Sequence, residues 1–206
     1  LLVFPSDGKT SNEIISAANM AMHDVKRTGG NGFRFFSHAF NERAIHRLSL
    51  EADLRHALDS DQLALAYQPK VDIASGTICG AEALLRWQHP DRGLVSPVEF
   101  IPVAEESGLI HQIGDRVVDL ACRQIRLWLD AGIDPYRIAL NISSSQFSRK
   151  HFVEDLAGTL ARHSIDGQRI VIEITESLIM DNIQGHLKTL KTLRSLGIEL
   201  SVDDFG

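Results

Sequence analysis

The sequence predicts an α/β protein built around a parallel sheet, and two observations carry that prediction. Short apolar runs recur at intervals of roughly thirty residues, with helical patterns between them. Each of those runs also ends in an oxygen-bearing polar residue, which is how the strands of a βα barrel deliver side chains to a common mouth. Strand spacing alone fits an open doubly wound sheet as well as a closed barrel. The strand-end residues favour the barrel, of which this length of chain would supply about five of the eight strands.

Taken in order, the run LLVF and the turn PSDG lead into a helix from about Ser11, capped by Thr10 or Ser11, with Ile14, Ile15, Ala18, Met22 and Val25 at helical spacing. The string GGNG and a strand GFRFFS follow. These first residues read as the tail of a domain, because so short a stretch cannot bury a core of its own. From His38 to about Ser60 the pattern is helical, and a domain boundary is expected near Ser49. LALAYQPKVD and GTICGAEALLRW then read as two strands joined by the turn ASG, the one clear hairpin signal. Helices are expected over 97–106 and 112–131 before the strand RIALNIS, over 150–163 before RIVIEITES, and over 185–196, ended by Gly197, before IELSVDDFG.

Composition narrows the function. With 44% hydrophobic and 23% charged residues the chain is an ordinary globular sequence, and no apolar run is long enough to span a bilayer. No basic-then-apolar leader opens it, and Leu1 begins so abruptly in an apolar run that a longer parent protein is expected. A net charge of −6 disfavours a nucleic-acid polymer as partner, so a phosphate-bearing small ligand would need help from a metal or an arginine. Cys79 and Cys122 have no CxxC spacing and read as buried free thiols in a reducing cytoplasm.

The chemistry is concentrated at the strand ends: Glu82 in GAEALLRW, Asn141 in IALNIS, Glu173 in IVIEITES, and Asp203 with Asp204 in LSVDDFG. A carboxylate at the mouth of a buried strand costs several kcal/mol unless a cation or hydrogen bonds satisfy it. One such placement could be structural, for instance a Glu82–Arg86 ion pair; four point to convergence on a metal. The donors are all oxygens, which suits Mg²⁺ or Mn²⁺, and the nine scattered histidines form no zinc pattern. Asp203 and Asp204 are adjacent, so they can share a site only where the strand is ending. Asn141-Ile142-Ser143 reads as an accidental sequon, and Asp204-Phe205-Gly206 lacks the companion motifs of a kinase. Trp87 and Trp128 read as core or interface residues rather than base-stacking platforms.

The strings YQP, EALLRW, SPVEFIPVAEESGLI, NISSSQF, EITES and VDDFG, in this order from about Leu50 to Gly206, resemble the EAL domain of bacterial cyclic di-GMP phosphodiesterases. The resemblance implies an EAL-type TIM-like barrel, here incomplete, that hydrolyses cyclic di-GMP to linear pGpG. It implies that Glu82, Asn141, Glu173 and Asp203 hold one metal ion, that Asp203 with Asp204 reaches a second, and that Arg86 and Gln68 contact the ligand. Glu176 is implied to steady the loop after VDDFG. The family's lysine from the sixth strand, glutamate from the seventh and glutamine near the eighth have no counterpart in these residues, so turnover is expected of the complete parent rather than of this stretch alone. A cyclic di-GMP receptor that binds without turnover is the alternative.

The opening PSDGKTSNEIISAANMAMHDVK with GGNGFRFF resembles the end of a GGDEF (diguanylate cyclase) domain. Lys26 matches the family's phosphate-contacting lysine, while Asn19, His23 and Gly30 depart from its usual aspartate, tyrosine and arginine. The expected division is therefore a GGDEF remnant over 1–37, a helical linker over 38–49 and an EAL domain over 50–206. Cytoplasmic location, homodimerisation through the EAL domain, no membrane contact from this segment and a place in biofilm and motility signalling complete what the resemblance implies.

Overall fold

The computed structural model describes residues 2–5, 7–27, 33, 38–176, 178 and 183–203, with side chains for all of these except 20, 23, 24, 26, 27, 38–41, 43, 183, 184 and 203. The chain divides into two compact units, Leu1–Ala52 and Asp53–Gly206.

In the first unit, α1 (Ser11–Arg27) begins with a reciprocal capping box. The Glu13 N–H donates to Thr10 Oγ1 at 3.3 Å, and the Glu13 carboxylate accepts from the N–H groups of Lys9 at 2.7 Å and Thr10 at 3.3 Å. Thr10 is thus the cap, and Ser11 is already helical. The buried positions are Ala17 and Ala21, whereas Ile15 and Met22, expected on the apolar stripe, are exposed. The strand expected at GFRFFS lies outside the described residues except for Phe33, which is in no strand. Helix α2 (His38–Leu58) runs unbroken past Ser49. In the part that belongs to the first unit Leu50 is buried while Ile45 and Leu48 are exposed; Leu54 and Ala57, buried on its last turns, belong to the second unit.

The second unit is a six-stranded sheet with helices between its parallel strands. The strands are β1 (Leu63–Val71), β2 (Ile78–His89), β3 (Gly93–Val95), β4 (Arg137–Asn141), β5 (Ile170–Thr175) and β6 (Glu199–Asp203). The helices are α3 (Pro97–Ser107), α4 (Ile110–Asp130), α5 (Ser144–Phe147), α6 (Phe152–Arg162) and α7 (Ile183–Ser195). The order across the sheet is β1-β2-β4-β5-β6, with β3 paired to β2. The sheet is mixed rather than parallel throughout, since β1 and β3 both run antiparallel to β2. Connections this short cannot carry a strand back to a parallel start, which takes a crossover of a dozen residues or more. The first turn is held by Asp72, whose Oδ1 accepts from the Ser75 N–H at 2.8 Å and hydroxyl at 2.7 Å. The second, unanticipated hairpin is held by His89, whose Nδ1 accepts from the N–H groups of Asp91 and Arg92, both at 3.1 Å.

From β2 onward the pairing is parallel, with Glu82 beside Ala139, Asn141 beside Glu173 and Thr175 beside Asp203. Side chains alternate along a strand, so positions 68, 82, 86, 141, 173 and 203 fall on one face of the sheet. The opposite face carries the core. Ile138, Leu140, Ile170 and Ile172 are fully buried, as are Trp87 and Phe100, whose rings meet edge to face at 5.4 Å. Helix α4 packs against α3, α6, β1 and β4 through Ile113, Val117, Ala121, Cys122 and Ile125, a stripe at helical period. The larger of these, Ile113, Val117 and Ile125, each contribute about 1.5–3 kcal/mol on burial.

The sheet is curled. The Lys70 ammonium on β1 pairs with the Glu173 carboxylate on β5, three strand spacings away. In a flat sheet that is roughly 14 Å, farther than the two side chains together extend. Only a sheet closing on its inner face brings them together.

Candidate metal and phosphate site

The site lies on the inner face near the ends of β4 and β5; contrary to the expectation from the sequence, Glu82 reaches it from within β2, which continues to His89, and Glu173 from two residues before the end of β5. Asn141 is the last residue of β4, and its Nδ2 donates to Glu82 Oε1 on β2 at 2.7 Å. Glu173 sits beside Asn141 in register on β5 and is buried, 7% exposed. The Ile142 N–H donates to the Glu173 carbonyl at 3.0 Å, which extends the β4–β5 pairing one residue past the strand and fixes how the chain leaves the site.

That exit is built locally. Ser143 caps α5 in a full capping box with Gln146: the Gln146 N–H donates to Ser143 Oγ at 3.3 Å, and Gln146 Oε1 accepts from the Ser143 N–H at 3.0 Å. Gln146 is buried against Gly114 of α4, where a Cβ would stand 1.6 Å from its amide nitrogen. The NISSSQF string therefore sets the conformation of the chain directly after Asn141.

A cavity of about 310 Å³ opens over this end of the sheet, with Arg86, Asn141, Ser143 and Glu173 on its polar side and Leu84 and Ile101 on its apolar side. Arg86 makes no ion pair with Glu82 among the described residues; its Nη1 donates to the Leu85 carbonyl at 2.9 Å. Gln68 is level with Glu82 across the β1–β2 hairpin and exposed, but does not line the cavity. Glu176 is exposed, one residue beyond β5. Asp203 ends β6 in register with Thr175, and Asp204 lies outside the described residues.

Lys70 is the residue that sequence reasoning missed. It lies two positions after Gln68 on β1, hence on the same face, and its ammonium meets the buried Glu173 carboxylate. Alternation from Gln68 contains that signal, but a lysine in a short hairpin reads as a solvated residue.

Among the described residues, no group of three His, Cys, Asp or Glu side chains is placed to hold a metal. The described part of the expected ligand set holds two carboxylates, Glu82 and Glu173, and the amide of Asn141. These are hard oxygen donors of the kind Mg²⁺ and Mn²⁺ take. In their chemistry these donors suit a divalent ion, and Glu173 already takes a cationic partner, the Lys70 ammonium.

Away from the site, Cys122 is fully buried, and burial pushes its thiol up to about 12, with the Asp119 charge adding to it. Cys79 is exposed, contrary to its expected burial, because it stands at the start of β2, at the turn end of the hairpin rather than in its packed middle.

The family model described as the EAL domain matches residues 51–206, the stretch that forms the curled mixed sheet with its inner-face carboxylates, and the chain belongs to the EAL domain family. It is 44% identical over 206 residues to the bifunctional diguanylate cyclase/cyclic di-GMP phosphodiesterase MucR of Pseudomonas aeruginosa, covering 100% of this chain and 30% of that protein. It is 39% identical over 204 residues to the cyclic di-GMP phosphodiesterase NbdA of Pseudomonas aeruginosa, covering 99% of this chain and 26% of that one. The solved c-di-GMP complex of the PaMucR phosphodiesterase matches with a TM-score of 0.74 at 47% identity, over 77% of this chain and 64% of that chain. The chain thus spans less than a third of the length of these curated relatives.

Proposed function

We propose that this chain is the cyclic di-GMP-binding and catalytic part of a bacterial phosphodiesterase that opens cyclic di-GMP to linear pGpG. The observation that carries the reading is the meeting on one face of Glu82 from within β2, Asn141 at the end of β4 and Glu173 near the end of β5, with Asn141, Glu173 and Arg86 lining a common cavity. Hydrolysis adds one water: the bond from water oxygen to phosphorus forms, the bond from phosphorus to the leaving ribose oxygen breaks, and a proton ends on that oxygen.

Glu82, Asn141, Glu173 and Asp203 would hold one Mg²⁺ or Mn²⁺, with Asp204 joining Asp203 at a second. When bound, such ions activate water and neutralise charge on the phosphoryl oxygens. Glu82 and Asp203–Asp204 are the catalytic carboxylates in this reading. Arg86 swings from the Leu85 carbonyl to a phosphate, where its planar fork binds two oxygens. Gln68 contacts the ligand from β1. Glu176 steadies the segment that follows residue 203.

The same reading takes the curled sheet as part of an EAL-type βα barrel, residues 1–37 as the end of a GGDEF domain and 38–49 as a helical linker. The alignment of the whole chain with MucR, a bifunctional cyclase and phosphodiesterase by name, supports that division. A cytoplasmic, homodimeric signalling protein is the setting; among the described residues no helix is long and apolar enough to cross a membrane.

The test is chromatographic turnover of cyclic di-GMP by the full-length protein with Mg²⁺ or Mn²⁺, alongside Glu82→Ala. Linear product from the wild type and none from the variant is the expected result. Bound ligand without product would make the protein a receptor, and neither binding nor product would overturn the reading.

A further inference from the structure

Glu173 is a carboxylate almost wholly out of water, and such a group costs several kcal/mol unless it is paired. The Asn141 amide, its register neighbour, is committed to Glu82. The partner that reaches Glu173 is the ammonium of Lys70, from a strand three positions away in the sheet. That lysine is itself 40% exposed along its side chain. Its charge is a single point on a flexible stem, able to withdraw to water without moving the strand.

From this geometry we propose that Lys70 is an exchangeable internal counter-cation, standing at Glu173 when no divalent ion is bound and yielding the carboxylate when one arrives. The proposal rests on the reading of Glu173 as a metal ligand and goes beyond it. Two cations on one carboxylate repel, so metal binding must either displace the ammonium or be opposed by it. In both cases Lys70 weakens metal binding. In exchange it keeps Glu173 neutralised and aimed at the cavity while the site waits. Lys70 therefore acts through Glu173 and is a positioning residue.

The experiment is calorimetric titration of the full-length protein with Mn²⁺ in wild type, Lys70→Met, Lys70→Gln, Lys70→Arg and Glu173→Gln, with circular dichroism confirming that each is folded. Lys70→Met and Lys70→Gln are expected to bind Mn²⁺ about tenfold more tightly than wild type, Lys70→Arg to stay within about twofold of it, and Glu173→Gln to bind more weakly. If the wild type binds Mn²⁺ and Glu173→Gln weakens it, but both neutral variants bind equally or less tightly, the Lys70 proposal is overturned while the metal reading stands. If the wild type shows no saturable Mn²⁺ binding, the metal reading fails and this proposal falls with it.

Discussion

Asn141 and Glu82, separated by 59 positions in sequence, are joined by one hydrogen bond of 2.7 Å from amide to carboxylate on the inner face of the sheet. The parallel pairing of β2 with β4 brings the strands together, and the bond is made where β4 ends. With its N–H₂ committed to Glu82, the Asn141 carbonyl oxygen is the part of the amide left for a cation. One side chain thereby orients a neighbouring ligand and offers a donor itself.

Asn141→Ala is expected to weaken Mn²⁺ binding by about 10- to 100-fold, the range for losing a group that orients or supplements a metal ligand. Asn141→Asp removes the donor to Glu82 and sets two carboxylates side by side, so its metal-free form should melt below the wild type and recover with Mn²⁺. Calorimetric titration and thermal melts with and without EDTA check both. An unchanged affinity in Asn141→Ala would remove this residue from the site.

Gly167 and Gly158 provide a matched pair for the packing of the parallel sheet. A Cβ on Gly167, just before β5, would stand 2.0 Å from the Leu196 carbonyl oxygen, a backbone atom that cannot swing aside. Gly158, in α6, has nothing within 4 Å. Gly167→Ala should therefore cost about 1–3 kcal/mol, whereas Gly158→Ala should be neutral or stabilising by up to about 1 kcal/mol. Urea unfolding of the two variants measures the contrast.

Acid should loosen the joint between α4 and the end of α6. His163 Nε2 lies 2.8 Å from Asp119 Oδ1. That hydrogen bond above all, with the charges of His163, Arg162 and Arg123, holds the Asp119 carboxyl below its usual range. A depressed carboxylate stabilises the fold above its unfolded value, about 3.9 for aspartate, and loses that contribution as pH falls through the lower folded-state value. The wild type should lose urea resistance below about pH 4–5. Asp119→Asn should begin less stable at neutral pH and lose less on acidification. Parallel acid profiles would show that this pair contributes nothing.

The two thiols should differ sharply in reactivity. Cys79 is exposed, while Cys122 is buried with its thiol pushed up to about 12. The thiolate is the reactive form, so iodoacetamide at neutral pH should label Cys79 in the folded protein and reach Cys122 only after denaturation. Peptide mass mapping distinguishes the two, and labelling of both at equal rates would contradict the burial of Cys122.

What the sequence by itself determined is local and periodic. The helices at Pro97, Ile110, Phe152 and Ile183 begin within about two residues of the positions that spacing and capping predict. The strands carrying Glu82, Asn141, Glu173 and Asp203 were legible as apolar runs, and the ends of β4 and β6 as the polar residues that close them. These features depend on a residue and its near neighbours, so the chain states them directly.

Only the tertiary structure decided what lies across from each face. Periodicity marks Ile15, Met22, Ile45 and Leu48 as apolar, but whether a position is covered depends on distant parts of the chain, and all four are exposed. The short β3 hairpin carries too few residues for a periodic signal and is held instead by the His89 ring. The pairing of Lys70 with Glu173 depends on how far the sheet curls across β2 and β4. Curl is a property of strand twist accumulated over the whole sheet, and no single segment of the sequence contains it.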